Sequence, residues 1–163
     1  MRYVSKQMAS PVGRLTLVAA AARLVAILWE NERPGRVPLP IAGEVPDHPV
    51  LREAERQLAD YFAGHRRTFE LPLDFIGTDF QRQVWAALLT IPIGETRTYA
   101  QLAGQLGRPE AARAVGAANG HNPLSIVVPC HRLVGSNGSL TGFAGGLEAK
   151  AWLLAHEGAR IGA

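Results

Sequence analysis

The sequence of 163 residues contains one cysteine, Cys130, directly followed by a histidine, His131. A thiolate is a soft nucleophile, but a thiol at its reference pKa of about 8.5 is only a few per cent ionised at neutral pH. The adjacent imidazole can lower that pKa or take the proton, provided the backbone turns, because neighbouring side chains on a regular strand point apart. A carboxylate orienting the imidazole would complete a relay, and Glu157 in Ala155-His156-Glu157-Gly158 is the candidate. Pro129 stiffens the approach to Cys130, since its ring fixes φ and removes an N–H. The same residue types fit a small buried hydrophobe beside a surface histidine. A single cysteine excludes an internal disulfide and a multi-thiolate zinc or iron–sulfur site.

A second constellation lies upstream. Ala111, Ala112, Ala114, Gly116, Ala117 and Ala118 surround one long cation, Arg113. A helix face of methyls and hydrogens can approach a narrow nucleic-acid groove closely, and a lone arginine there can reach into the base stack. Alanines are equally good helix formers for their own sake, and Arg113 is compatible with a solvated charge. Asn122-Pro123 marks a turn in which Asn122 can hydrogen-bond its local backbone. Arg97, Arg108 and Arg132 are candidates for phosphate contacts.

These residues need elements to position them. Thr78 is placed to cap a helix with Val84, Leu88 and flanking Phe80 on its apolar face, stopping at Ile91-Pro92. Thr98 caps a short helix over 99–106, and Gly107-Arg108-Pro109 leads into another over 110–119, with Pro109 starting it. Two short helices joined by a Gly-containing turn read as a helix-turn-helix. The β-branched run 125–128 predicts a short buried strand that delivers Pro129-Cys130-His131-Arg132, and a turn at 135–139, a loop at 142–146 and a helix at 147–157 follow. In the N-terminal half, strands are expected at 3–9, 13–19 and 24–29 in a small antiparallel sheet. Pro34, Gly35, Pro38, Pro40, Gly43 and Pro46 make 31–47 a loop. Leu51, Ala54, Leu58, Tyr61 and Phe62 give an amphipathic helix ending near Gly64, and 68–75 could add a strand. The composition shifts near Gly77, dividing the chain into domains 1–77 and 78–163.

With 47% hydrophobic and 19% charged residues the chain can bury a core. Its formal charge of +3 is uneven: residues 1–79 hold 10 Lys+Arg and 10 Asp+Glu, whereas 80–163 hold 7 and 4. The longest apolar stretch, 15–28, is interrupted by Thr16 and Arg23 and is too short for a bilayer, and the N-terminus lacks the apolar run of a secretory signal. A cytoplasmic protein without membrane contact is expected.

Taken in order, Thr78-Asp79-Phe80-Gln81, Val84-Trp85, Ile91-Pro92-Ile93-Gly94-Glu95-Thr96, Tyr99, Ala111-Ala112-Arg113-Ala114-Val115-Gly116, Asn122-Pro123, Pro129-Cys130-His131-Arg132 and Gly145-Gly146 closely resemble the O6-alkylguanine-DNA alkyltransferases. The likeness runs from about Thr78 to Gly158; residues 1–77 fit the family's variable N-terminal domain in layout alone. The resemblance implies an α+β protein: a ribonuclease-H-like sheet with a helix, then a helical, winged-helix-like domain carrying the helix-turn-helix. It implies single-use repair of double-stranded DNA by a monomer, without cofactor. An O6-alkylguanine, and an O4-alkylthymine too, is swung out of the duplex and gives its alkyl group irreversibly to Cys130. By the family pattern His131 takes the thiol proton through a water, Glu157 orients His131, and Asn122 holds the turn before the cysteine. Tyr99 donates to the guanine ring nitrogen N3. Arg113 is the finger that fills the gap left by the flipped nucleotide, with Ala112, Ala114 and Gly116 against the minor groove. The base pocket uses the carbonyls of Cys130 and Leu133, the N–H of Ala144 and Phe143 as an apolar wall. Some relatives carry an N-terminal zinc held by cysteines, and this half has none, so no metal is expected.

Two other functions remain on residue types. A Cys-His-Glu hydrolase would turn over and would need oxyanion donors. A non-catalytic helix-turn-helix regulator would leave Cys130 inert and prefer an operator.

Overall fold

The computed structural model describes residues 2–159, which divide into two compact units meeting between Ile76 and Gly77.

The first unit is built on a four-stranded sheet. Strands β1 (Tyr3–Met8), β2 (Leu15–Ala20) and β3 (Arg23–Leu28) form the expected antiparallel sheet, as a meander. The segment expected as a loop contributes a fourth strand, β4 (Ile41–Glu44), parallel to β1, giving the order β3-β2-β1-β4. All four β4 residues are exposed, so no apolar alternation marked it; the backbone pairing alone makes the strand. Helix α1 (Pro49–Phe62) has Pro49 in its first turn and His48 as its cap, and packs Leu51, Ala54, Leu58 and Tyr61 inward. The expected strand at 68–75 is reduced to a single bridge, Leu24 with Leu73. That segment is held instead by buried Gln57, whose amide accepts from Glu70 N at 2.9 Å and donates to Glu70 O at 3.0 Å.

In the second unit, helix α2 (Asp79–Leu88) begins with a reciprocal capping box between Thr78 and Gln81. Gly77 is required there: a Cβ would come within 2.5 Å of the Trp85 ring. Strand β5 (Arg97–Thr98) leads into α3 (Tyr99–Gln105), again boxed, by Thr98 and Gln101. Pro109 opens a 3-10 turn, Pro109–Ala111, before α4 (Ala112–Gly120), so the second helix of the pair starts two residues later than its alanine run suggests. Helices α2, α3 and α4 pack on one another, and Trp85 Nε1 donates to the Ala118 carbonyl at 2.9 Å.

The expected strand at 125–128 does not form. Val128 N donates to Leu124 O at 2.9 Å, Val127 N to Ser125 O at 2.9 Å, and Ile126 is driven to φ 76°. A β-branched residue there costs on the order of 1–3 kcal/mol. The apolar character reflects complete burial of a coiled connection rather than sheet pairing. Cys130–Arg132 is a 3-10 turn, followed by β6 (Leu133–Val134), parallel to β5, and by α5 (Leu147–His156).

Candidate active site

The turn that the Cys130-His131 pair required is the 3-10 turn. Asn122 locks the chain entering it: its Nδ2 donates to Val128 O at 2.9 Å and its Oδ1 accepts from Leu124 N at 3.0 Å. Cys130 is 2% exposed and His131 fully buried. His131 Nε2 lies 2.7 Å from Glu157 Oε2, where the last turn of α5 delivers it.

Protonation in this pair follows from its surroundings. Burial pushes the Glu157 carboxyl up, but hydrogen bonds and charge from His131 and Arg132 outweigh it and hold it at about 2. An ionised carboxylate only accepts, so the imidazole proton sits on Nε2 and Nδ1 is left as the free lone pair. Burial lowers the His131 pKa against the upward pull of Glu157, which keeps the ring neutral and fit to accept a proton. Nδ1 is buried and hydrogen-bonds to no protein atom.

Arg132, considered above as a phosphate contact, is not on the surface. Its guanidinium clamps Glu157 through Nε to Oε1 at 2.8 Å and Nη2 to Oε2 at 3.2 Å, and its Nη1 donates to Ile91 O at 2.6 Å. This bidentate pair fixes the carboxylate that fixes the histidine. At Gly94 an added Cβ would lie 3.2 Å from the Glu157 carbonyl, so the 92–95 turn closes against the end of α5.

One family model, the DNA binding domain of 6-O-methylguanine DNA methyltransferase, matches residues 79–159. A second, the ribonuclease-like domain of the same protein, matches residues 3–75. The chain belongs to the 6-O-methylguanine DNA methyltransferase family. A methylated-DNA–protein-cysteine methyltransferase of Mycobacterium tuberculosis is 48% identical over 153 residues, covering 93% of this chain and 90% of its own. One of Salmonella typhimurium is 47% identical over 175 residues, covering 97% of each. The crystal structure of Mycobacterium tuberculosis OGT in complex with DNA superposes with a TM-score of 0.84 at 46% identity, over 97% of this chain and 93% of that one. The α+β methyltransferase architecture expected from the resemblance is therefore the one present.

In this methyltransferase, half-buried Tyr99 starts α3 with its hydroxyl 2.5 Å from Thr141 Oγ1. Its ring borders α4, where a Cβ on Gly116 would meet it at 3.6 Å. Arg113 and Ala114 are exposed on α4, with Ala112 half-buried. Leu133 is buried; Phe143 and Ala144, in the segment before α5, are half-buried. The Cys130 carbonyl already accepts from Leu133 N and from Asn119 Nδ2 at 3.3 Å.

One residue was missed. Lys150 is fully buried, donates to Leu133 O at 2.6 Å and lies 5.9 Å from the Phe143 ring centre. Burial pulls its pKa down to about 8, against the attraction of Cys130. Its signal was in the sequence: Lys150, Leu153, Leu154 and Glu157 share the core face of α5 at helical spacing, and a charge there needs a partner.

Proposed function

We propose that this protein repairs DNA by transferring the alkyl group of O6-alkylguanine, and of O4-alkylthymine, irreversibly to Cys130. The observation that carries this reading is the buried relay: a sole cysteine in a turn beside a neutral His131 whose Nε2 is committed to Glu157 at 2.7 Å. Residues 78–163 bind DNA and react; residues 1–77 form a separate α/β domain. The protein acts as a monomer in the cytoplasm and needs no cofactor, because the sulfur is both nucleophile and final acceptor.

The thiol proton passes through a water to His131 Nδ1. Sγ attacks the sp³ carbon, the new S–C bond forms as the C–O6 bond breaks, and the guanine leaves with the electron pair. Tyr99 exchanges its bond to Thr141 for one to guanine N3 and offsets that developing charge. The Cys130 and Leu133 carbonyls and the Ala144 N–H read the base against Phe143. Helix α4 lies in the minor groove, its small residues Ala112, Ala114 and Gly116 allowing close approach, while Arg113 fills the space of the extruded nucleotide. Asn122 keeps the turn rigid.

The test is incubation with duplex containing O6-methylguanine, followed by intact and peptide masses. One methyl group on Cys130 per restored guanine is expected. An unmodified Cys130 with the lesion persisting would overturn the reading, and repeated turnover of a small acyl ester would favour a hydrolase.

A further inference from the structure

The hydroxyls of Tyr99 and Thr141 lie 2.5 Å apart on different parts of the second unit, the first residue of α3 and the segment between β6 and α5. Both residues are half-buried, so part of each stays accessible from outside.

Each partner is set in place by packing that does not involve the other. Tyr99 follows Thr98, and β5 pairs with β6 directly after the Cys130 turn, Arg97 with Leu133 and Thr98 with Val134. Gly116 of α4 flanks its ring, where a Cβ would stand 3.6 Å away. On the other side, Gly135 N donates to Ser139 O at 2.9 Å and Gly138 N to Gly135 O at 2.8 Å, closing the turn that delivers Thr141. A Cβ on Gly135 would come within 3.3 Å of Thr141 Cγ2, so the threonine methyl is seated on that bare backbone. With the methyl there and its carbonyl 3.5 Å from Lys150 Nζ, a β-branched side chain has its hydroxyl turned to Tyr99.

A hydroxyl has one hydrogen to donate and two lone pairs to accept. When Tyr99 gives its hydrogen to guanine N3, Thr141 can turn its own onto the phenol oxygen. The two oxygens stay where they are and the direction of donation between them reverses. A donor that is itself accepting a bond donates more strongly, because bonds in a chain polarise one another.

Resting on the alkyl-transfer reading, we propose that Thr141 is a positioning residue for transfer: its hydroxyl holds the Tyr99 oxygen and donates to it while Tyr99 donates to N3 of the departing guanine. The contact is kept through the reaction and is not a clasp that the base must break. Because packing on Gly135 sets the hydroxyl beforehand, no reorganisation is needed as charge develops on the base.

The test measures single-turnover methylation of Cys130 by duplexes containing O6-methylguanine or its 3-deaza analogue, in which a C–H replaces N3 and cannot accept. Each preparation is first titrated by the total methyl it takes up, so a partly folded variant changes amplitude and not rate. The wild-type protein is expected to react about tenfold faster with the guanine lesion. Thr141→Val, which replaces the hydroxyl by a methyl, should slow that lesion about fivefold and leave the 3-deaza lesion within about twofold. Thr141→Ser, which keeps the hydroxyl, should stay within about twofold of wild type on both. Equal slowing of both lesions by Thr141→Val, slowing as large in Thr141→Ser, or no slowing at all would each overturn the assignment. A wild-type ratio near one would overturn it too, by removing the contact between Tyr99 and N3, while transfer to Cys130 stands. If wild-type Cys130 gains no methyl from the O6-methylguanine duplex, the transfer reading itself falls and takes this assignment with it.

Discussion

Three charged residues are buried in the same unit as Cys130: Arg132, Lys150 and Glu157. Glu157 is held at about 2 against an ordinary 4.5, so its stabilisation is complete above about pH 4.5 and is lost as pH falls toward 2. Glu157→Gln should flatten that acid limb in denaturant titrations, leave Arg132 uncompensated at a cost of about 3–5 kcal/mol, and slow transfer. Lys150 works in the opposite sense. With its native pKa at about 8 and an ordinary value of 10.5, the unfolded chain holds the proton more tightly between the two. Stability contributed by this residue should rise across that window, and the rise should vanish in Lys150→Met, measured by urea midpoints at pH 8 and 10. At this scale the sequence offered Glu157 as a carboxylate partner for His131, and the two side chains do meet at 2.7 Å. Arg132 was misread because its partners, Glu157 and the Ile91 carbonyl, lie far along the chain and no local pattern announces them.

Among the elements, the capped helices were the plainest to read, since Thr78 and Thr98 each precede a glutamine by three residues and both boxes close. The connection from α4 to Cys130 was not. A run of Ser-Ile-Val-Val carries β propensity, but Asn122 and the Leu124–Val128 hydrogen bond coil it before any strand partner can pair. The reading of α4 as the DNA-facing element makes a separable prediction. Arg113 is exposed, so Arg113→Ala should leave the melting temperature within about 2 °C. It should reduce repair in duplex about tenfold more than reaction with the free modified base, because only the duplex requires extrusion. Equal losses on both substrates would remove the finger role.

At the level of the whole molecule, the charge balance means less than its count suggests. Of the seven cations in 80–163, Arg132 and Lys150 are interior, which leaves Arg82, Arg97, Arg108 and Arg113 as the exposed or half-buried ones among the described residues. If these four make the phosphate contacts, binding to undamaged duplex should depend on salt with a log–log slope of about −4, measured by fluorescence anisotropy. The two-unit layout was visible as a shift in composition near Gly77, whereas β4 had no apolar pattern to betray it. The depth of Cys130 has a last consequence. Cys130 is 2% exposed in a turn held by Asn122 and Asn119, so a methyl group added to its sulfur presses on packed neighbours, and overfilling such a place costs about 1–3 kcal/mol. Each spent molecule would then carry its history as a lowered unfolding temperature, a difference that cellular proteolysis can sense without any dedicated reader.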